Sequence, residues 1–168
     1  AWLHEFVTGL VMADGRGTLT PEDNRRLATG LAFIMRLPPA MRSLAGLREF
    51  LGHGDALGAG ARLERWVSGG ALGWAFDGDT DLIDFDRRIA AVDPTALLTD
   101  QVVMPPLAAY LLHRANAVMD GRRAVLWADE FRAYLPDARF ARGFEDFALT
   151  GRKKNWSLCI ATQQPEHI

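Results

Sequence analysis

The sequence predicts an α/β protein in which an all-helical segment precedes part of a parallel sheet. Three observations carry this reading. Apolar residues over 1–68 recur at helical spacing, Ala124–Ala128 and Leu158–Ala161 are unbroken apolar runs, and an amphipathic stretch lies between those runs. Continuous apolar strands are expected where a sheet is covered on both faces, and strand, helix and strand in that order form a βαβ unit with a right-handed crossover.

Leu3, Phe6, Val7, Leu10 and Val11 make the stripe of a first helix, which ends near Asp14–Gly17. Thr20 reads as an N-cap, with Pro21 at the first helical position and Glu22 and Asp23 in the first turn. That second helix presents Leu27, Leu31, Ile34 and Met35 on one side and stops before Pro38 and Pro39. Leu44, Leu47 and Leu51 mark a third helix, closed by the glycine-rich stretch Gly52–Gly60, and Leu63, Trp66 and Val67 mark a short fourth.

Beyond Gly69 and Gly70 the period changes. Leu72–Phe76 and Leu82–Phe85 predict two short strands around the turn 77–81, and Ile89–Val92 a third. A long helix enters through Pro105 and Pro106, with Leu107, Tyr110, Leu111, Ala115 and Val118 expected inward, and closes at Asp120 and Gly121. The crossover helix is marked by Phe140, Phe144, Phe147 and Ala148.

The 168 residues are 49% apolar and 24% charged, which suits a packed core rather than a disordered chain. The net charge of −2 gives no strong signal for direct nucleic-acid capture. With one cysteine, Cys159, no internal disulfide can form, and Cys159 itself is expected in the core. The longest mostly apolar stretch, Val102–Leu112, holds two prolines and is too short to span a membrane. No leader opens the chain, which points to the cytoplasm. Both termini cut through amphipathic patterns, so the chain reads as a fragment of a longer polypeptide.

Three acidic residues, Asp77, Asp79 and Asp81, imitate the start of a calcium loop. The sixth and twelfth positions are Leu82 and Arg88 instead of Gly and Glu, so a solvated turn is the expectation. His4, His53, His113 and His167 show no zinc-ligand spacing.

Ligands of parallel sheets bind at the carboxyl ends of the strands. The first apolar strand runs into Asp129 and Glu130, and the second into Thr162 and Gln163. An apolar strand ending in Asp-Glu suits a nucleotidase, in which the Asp holds a magnesium shell and the Glu orients and deprotonates the attacking water. A glutamine on the neighbouring strand can sense the γ-phosphate. Arg152, Lys153 and Lys154 can neutralise charge on a transferring phosphoryl group, or can simply complement the dipole at a helix C-terminus.

These tracts, Arg123–Glu130, Arg152–Asn155 and Ala161–Pro165, resemble the large ATPase of type IV secretion and conjugation machines (TrbE/CagE/VirB type). Trp66, Gly69–Gly70, Gly73–Asp77, Leu111–Arg114, Asp120–Arg123 and Gly17–Glu22 fit the same family, so the resemblance spans almost the whole chain. It implies residues 69–168 as the distal part of a RecA-like P-loop ATPase core and residues 1–68 as a helical insertion. It further implies ATP and Mg2+ as cofactors, Asp129 as the magnesium-linked aspartate, Glu130 as catalytic base and Gln163 as phosphate sensor. Arg152 with Lys153 or Lys154 would face a nucleotide, with a site shared across a subunit boundary as one arrangement. The resemblance also implies a hexamer or dimer at the cytoplasmic face of the inner membrane, acting with other secretion components.

One departure stands out. No Gly-Lys pair occurs, so the phosphate cradle G-x-x-x-x-G-K-[ST] is absent from these residues and the chain alone is expected to bind ATP weakly or not at all. Two rival readings are a DNA-pumping coupling ATPase and a catalytically inactive interaction module.

Overall fold

Contacts divide the chain into two units, residues 1–82 and residues 83–168. The computed structural model describes residues 2–13, 15, 18–78, 80–130 and 138–162.

In the first unit, α1 (Trp2–Met12) buries Val7, Leu10 and Val11, and α2 (Pro21–Ile34) buries Leu27, Leu31 and Ile34. The start of α2 is a capping box: the Asp23 N–H donates to Thr20 Oγ1 at 3.0 Å, and the Thr20 N–H donates to Asp23 Oδ2 at 3.2 Å. Met35, expected inward, is exposed just past the helix. Gly30 lets α2 approach α3 (Leu44–Leu51), because a Cβ there would sit 2.8 Å from the Leu47 and Phe50 side chains.

A short α4 (Ala59–Leu63) and the 3-10 turn at 64–66 carry Leu63 and Trp66, both fully buried. The Trp66 indole N–H donates to the Leu10 carbonyl at 2.9 Å, which satisfies its polar handle deep in the core. Phe76 packs on Trp66 at 5.7 Å and edge-on to Phe6 at 5.3 Å.

The strand expected at Leu72–Phe76 is instead one helical turn, α5 (Gly73–Phe76). A short apolar run does not distinguish strand from buried helix, and here the aromatic cluster takes Phe76 inward while Trp74 stays exposed. The solvated turn expected at 77–81 is also corrected at its first residue. Asp77 Oδ1 accepts the Leu44 N–H at 2.9 Å, and Oδ2 accepts the Ser68 N–H at 2.8 Å. It thus serves the N-terminus of α3 from a distance, beside the local Ser43 cap. Asp79 lies outside the described residues.

Residues 82–85 and 89–92 form no strands; Leu82 and Ile89 are among the most exposed apolar side chains. Neither run pairs with a strand among the described residues, and an unpaired strand leaves its backbone groups without partners. Asp100 Oδ1 accepts the Val102 and Val103 N–H groups in the turn that leads into α6 (Met104–Ala117). The buried face of α6 is Met104, Ala108, Leu112 and Ala115, continued by Met119. Of the residues expected inward, Ala115 is buried and Leu107 packs against this core, while Tyr110, Leu111 and Val118 are only half-buried, so the expected face is met in part.

Two strands, β1 (Ala124–Ala128) and β2 (Trp156–Ile160), pair in parallel with Ala124 opposite Trp156 and Ala128 opposite Ile160. The helix α7 (Ala138–Gly151) connects them and buries Phe144 and Phe147; the Phe140 side chain lies outside the described residues. Among the described residues the sheet is covered on one face only. Leu126, Ala128, Trp156 and Leu158 pack on the α6–α7 core, whereas Val125 and Trp127 are 61% and 68% exposed on the other face. The expectation of two covered faces is therefore not met, and Cys159, opposite Trp127, is half-buried rather than in the core. No described helix is long and apolar enough to cross a membrane.

Replacing Thr20 by Ala should cost about 1 kcal/mol of stability at neutral pH. Hydrogen bonding from Thr20 holds the Asp23 carboxyl below its ordinary range. The stability it adds is complete above the unfolded carboxyl value and lost as pH falls through the lower folded one. Denaturant titrations of wild type and Thr20→Ala at about pH 7 and about pH 2.5 should show the difference shrinking in acid; an undiminished difference would remove Asp23 from the cap.

Candidate functional site

Parallel pairing places the candidate residues by simple geometry. Residues that follow both strands lie at one edge of the sheet, and residues that precede both lie at the other. Asp129 and Glu130 follow β1, and Thr162 follows β2. The Ala161 N–H donates to the Ala128 carbonyl at 2.9 Å, carrying the pairing one step further and keeping Thr162 beside the two carboxylates. Gln163 lies outside the described residues.

The chain bends sharply at Asp129–Glu130. The Glu130 N–H donates to Asp129 Oδ1 at 2.9 Å, and Glu130 has a φ of 48°, in the left-handed region that costs a β-carbon-bearing residue about 1–2 kcal/mol. Such outliers are held in place by their surroundings and gather at functional sites. Asp129 is therefore an oxygen donor at the carboxyl edge and also the acceptor for the backbone of its neighbour.

Arg152, Lys153 and Lys154 form a 3-10 turn between α7 and β2. They precede β2, so they lie at the opposite edge from Asp129 and Glu130. Five strand residues separate the two groups, about 16 Å at ~3.3 Å per residue. The structure thus brings Asp129, Glu130 and Thr162 together and keeps the three cations of the same copy away from them.

The basic edge has features that the sequence did not announce. A groove of about 400 Å³ opens there, lined by Phe147, Gly151, Arg152, Trp156 and Leu158 among others. Asn155 adopts a left-handed conformation (φ 63°, ψ 26°) and its side-chain N–H donates to the Gly121 carbonyl at 2.8 Å. Arg122 bonds Asp120 and pairs with Asp86 on the same side of the unit. A left-handed Asn after a helix end is a known cap, so Asn155 had a local signal; its link to Gly121, 34 residues away, had none.

No protein-family model matches the chain. Curated relatives do. The chain is 53% identical over 167 residues to the protein virB4 of Rhizobium radiobacter, covering 99% of this chain and 21% of that protein. Nearly the whole chain is homologous to VirB4. The type IV secretion system protein virB4 of Bartonella henselae is 36% identical over 165 residues, covering 98% of the chain. The type IV secretion system protein PtlC of Bordetella pertussis is 34% identical over 159 residues, covering 89%. The chain spans about a fifth of the length of these VirB4 and PtlC relatives.

The left-handed backbone at residue 130 has a measurable signature. Glu130→Gly should leave the melting temperature unchanged or raise it, because glycine adopts this conformation without strain. Glu130→Val should lose about 1–2 kcal/mol. Equal melting of the two variants would mean that Glu130 is not held at positive φ.

Proposed function

We propose that the chain is part of a type IV secretion component that hydrolyses ATP, with the distal part of a RecA-like core in residues 69–168 and a helical insertion in residues 1–68. The observation that carries the proposal is the pair Asp129–Glu130 at the carboxyl edge of a parallel strand, in a chain homologous to VirB4 along nearly its full length. The alternation of strand, helix and strand supports the same reading.

The donor set fits the cofactors in part. A hard divalent cation takes oxygen ligands, and the Asp129 carboxylate supplies one at the edge where parallel sheets bind ligands. Held there with ATP, magnesium would supply positive charge against the charge developing on the transferring phosphoryl group. Asp129 would hold the water shell of that ion. Glu130 would orient the attacking water and accept its proton, and Gln163 would sense the γ-phosphate. The phosphate cradle would come from polypeptide beyond these residues, since no Gly-Lys pair occurs here.

Arg152, with Lys153 or Lys154, would act on the nucleotide of an adjacent subunit. The separation of about 16 Å, spanned by five strand residues at ~3.3 Å each, supports action in trans over action within one copy. Self-association as a hexamer or dimer, at the cytoplasmic face of the inner membrane with other secretion components, completes the proposal.

MgATP hydrolysis by the intact protein tests it. Glu130→Gln should lower turnover by about 10²–10⁴-fold. Arg152→Ala should also be impaired, and mixing the two inactive variants should restore part of the activity, because some sites then combine an intact Glu130 with an intact Arg152. Unchanged turnover in Glu130→Gln would remove it from catalysis; no hydrolysis by the wild type would favour the interaction module.

A further inference from the structure

We infer that Asn155 is a positioning residue, which sets the direction of the Arg152–Lys154 cations by fastening their turn to the loop that leads into β1. This rests on the reading that those cations act on a nucleotide, and it gives a task to the last residue of the Arg-Lys-Lys-Asn tract.

Asn155 is the junction of three connections. Its N–H donates to the Arg152 carbonyl at 3.3 Å, closing the basic turn on itself. Its carbonyl accepts the Ala124 N–H at 3.3 Å, joining the turn to the first residue of β1. Its side chain reaches the Gly121 carbonyl at 2.8 Å. That carbonyl can only accept, so the amide must present its N–H there, which fixes the orientation of the side chain.

The chemistry selects Asn at this position. The backbone is left-handed, which Asn and Gly tolerate and most residues resist. Gly would keep the conformation and lose the side-chain bond. Asp would keep the shape and replace the donor by a charged acceptor facing the Gly121 carbonyl. Gly121 itself has a φ of 98°, so the loop it belongs to is a specific bend, and Arg122 next to it is held by Asp120 and Asp86. The turn is thereby tied to a braced loop instead of hanging from the end of α7.

A cation that stabilises a transferring phosphoryl group must be placed to within a fraction of an ångström, and a displacement of about 1 Å can cost about 10²-fold in rate. Asn155 touches no phosphate in this scheme. It acts through Arg152 and its neighbours by limiting where the turn can point.

Steady-state MgATP hydrolysis by the intact protein carrying Asn155→Gly, Asn155→Asp, Arg152→Ala and the double variant Arg152→Ala/Asn155→Gly decides the matter, with melting temperatures measured alongside. Asn155→Gly is expected to melt within a few degrees of wild type, to lower kcat about tenfold or more and to leave KM for MgATP unchanged, since only transition-state contacts are disturbed. Asn155→Asp should be impaired at least as much. The double variant should lose less than the product of the two single losses, because removing Arg152 removes part of what Asn155 positions. Wild-type turnover in Asn155→Gly beside an impaired Arg152→Ala would overturn the inference and leave the cation's role standing, as would losses that multiply in the double variant. Wild-type turnover in Arg152→Ala would overturn the reading on which the inference rests, and the inference with it.

Discussion

The parallel pairing of β1 with β2 is the constraint on which the second unit depends. An antiparallel pair would bring the end of one strand beside the start of the other and so mix carboxylates with cations. The parallel pair, enforced by the long return through α7, sorts them: acidic residues at the edge the strands run toward, basic residues at the edge they leave. Both functional candidates and their separation follow from this one register.

The first unit is organised around a different contact. Trp66 is fully buried and its indole hydrogen bond reaches α1 across 56 residues, while Phe76 and Phe6 pack around it. Asp77, the residue after Phe76, then caps α3 and holds the Ser68 backbone. One aromatic cluster and one carboxylate thus join the first, third and fifth helices, and burial of a satisfied indole does more here than any local propensity.

What was legible in the sequence was what is decided locally. The Thr20 cap with Pro21 and Asp23 and the stripes of α1 to α3 depend on neighbours within a turn or two, whereas α6 stops at Ala117, before the closure expected at Asp120 and Gly121. The β1 and β2 runs were legible by composition, and with them the edge that holds Asp129 and Glu130. The expected strands at 72–76, 82–85 and 89–92 were not formed, because a strand needs partners that a short apolar run cannot specify. The face of α6 was legible in part, in Ala115 and Leu107. Sequence spacing did not separate Tyr110 and Leu111 from Ala108 and Leu112, and the fit against Phe144 and Phe147 selects between them. The αL turn at Asn155 was half legible, in its local cap and not in its distant bond.

Magnitudes decide what the two edges can do for one another. Two unit charges about 16 Å apart in water interact by about 0.3 kcal/mol before screening. The Debye length at physiological salt is about 8 Å, so most of even that is lost. At that separation the basic turn contributes little to a charge beside Glu130 of the same copy. At about 4 Å, in the reduced dielectric of a closed contact (effective value about 20), the same pair would be worth about 4 kcal/mol. A fixed sheet cannot supply that approach by bending, since its strands hold the edges apart. Under the proposed function it would come from a second surface brought against one edge, and the direction in which Asn155 holds the basic turn would then matter more than the charge the turn carries.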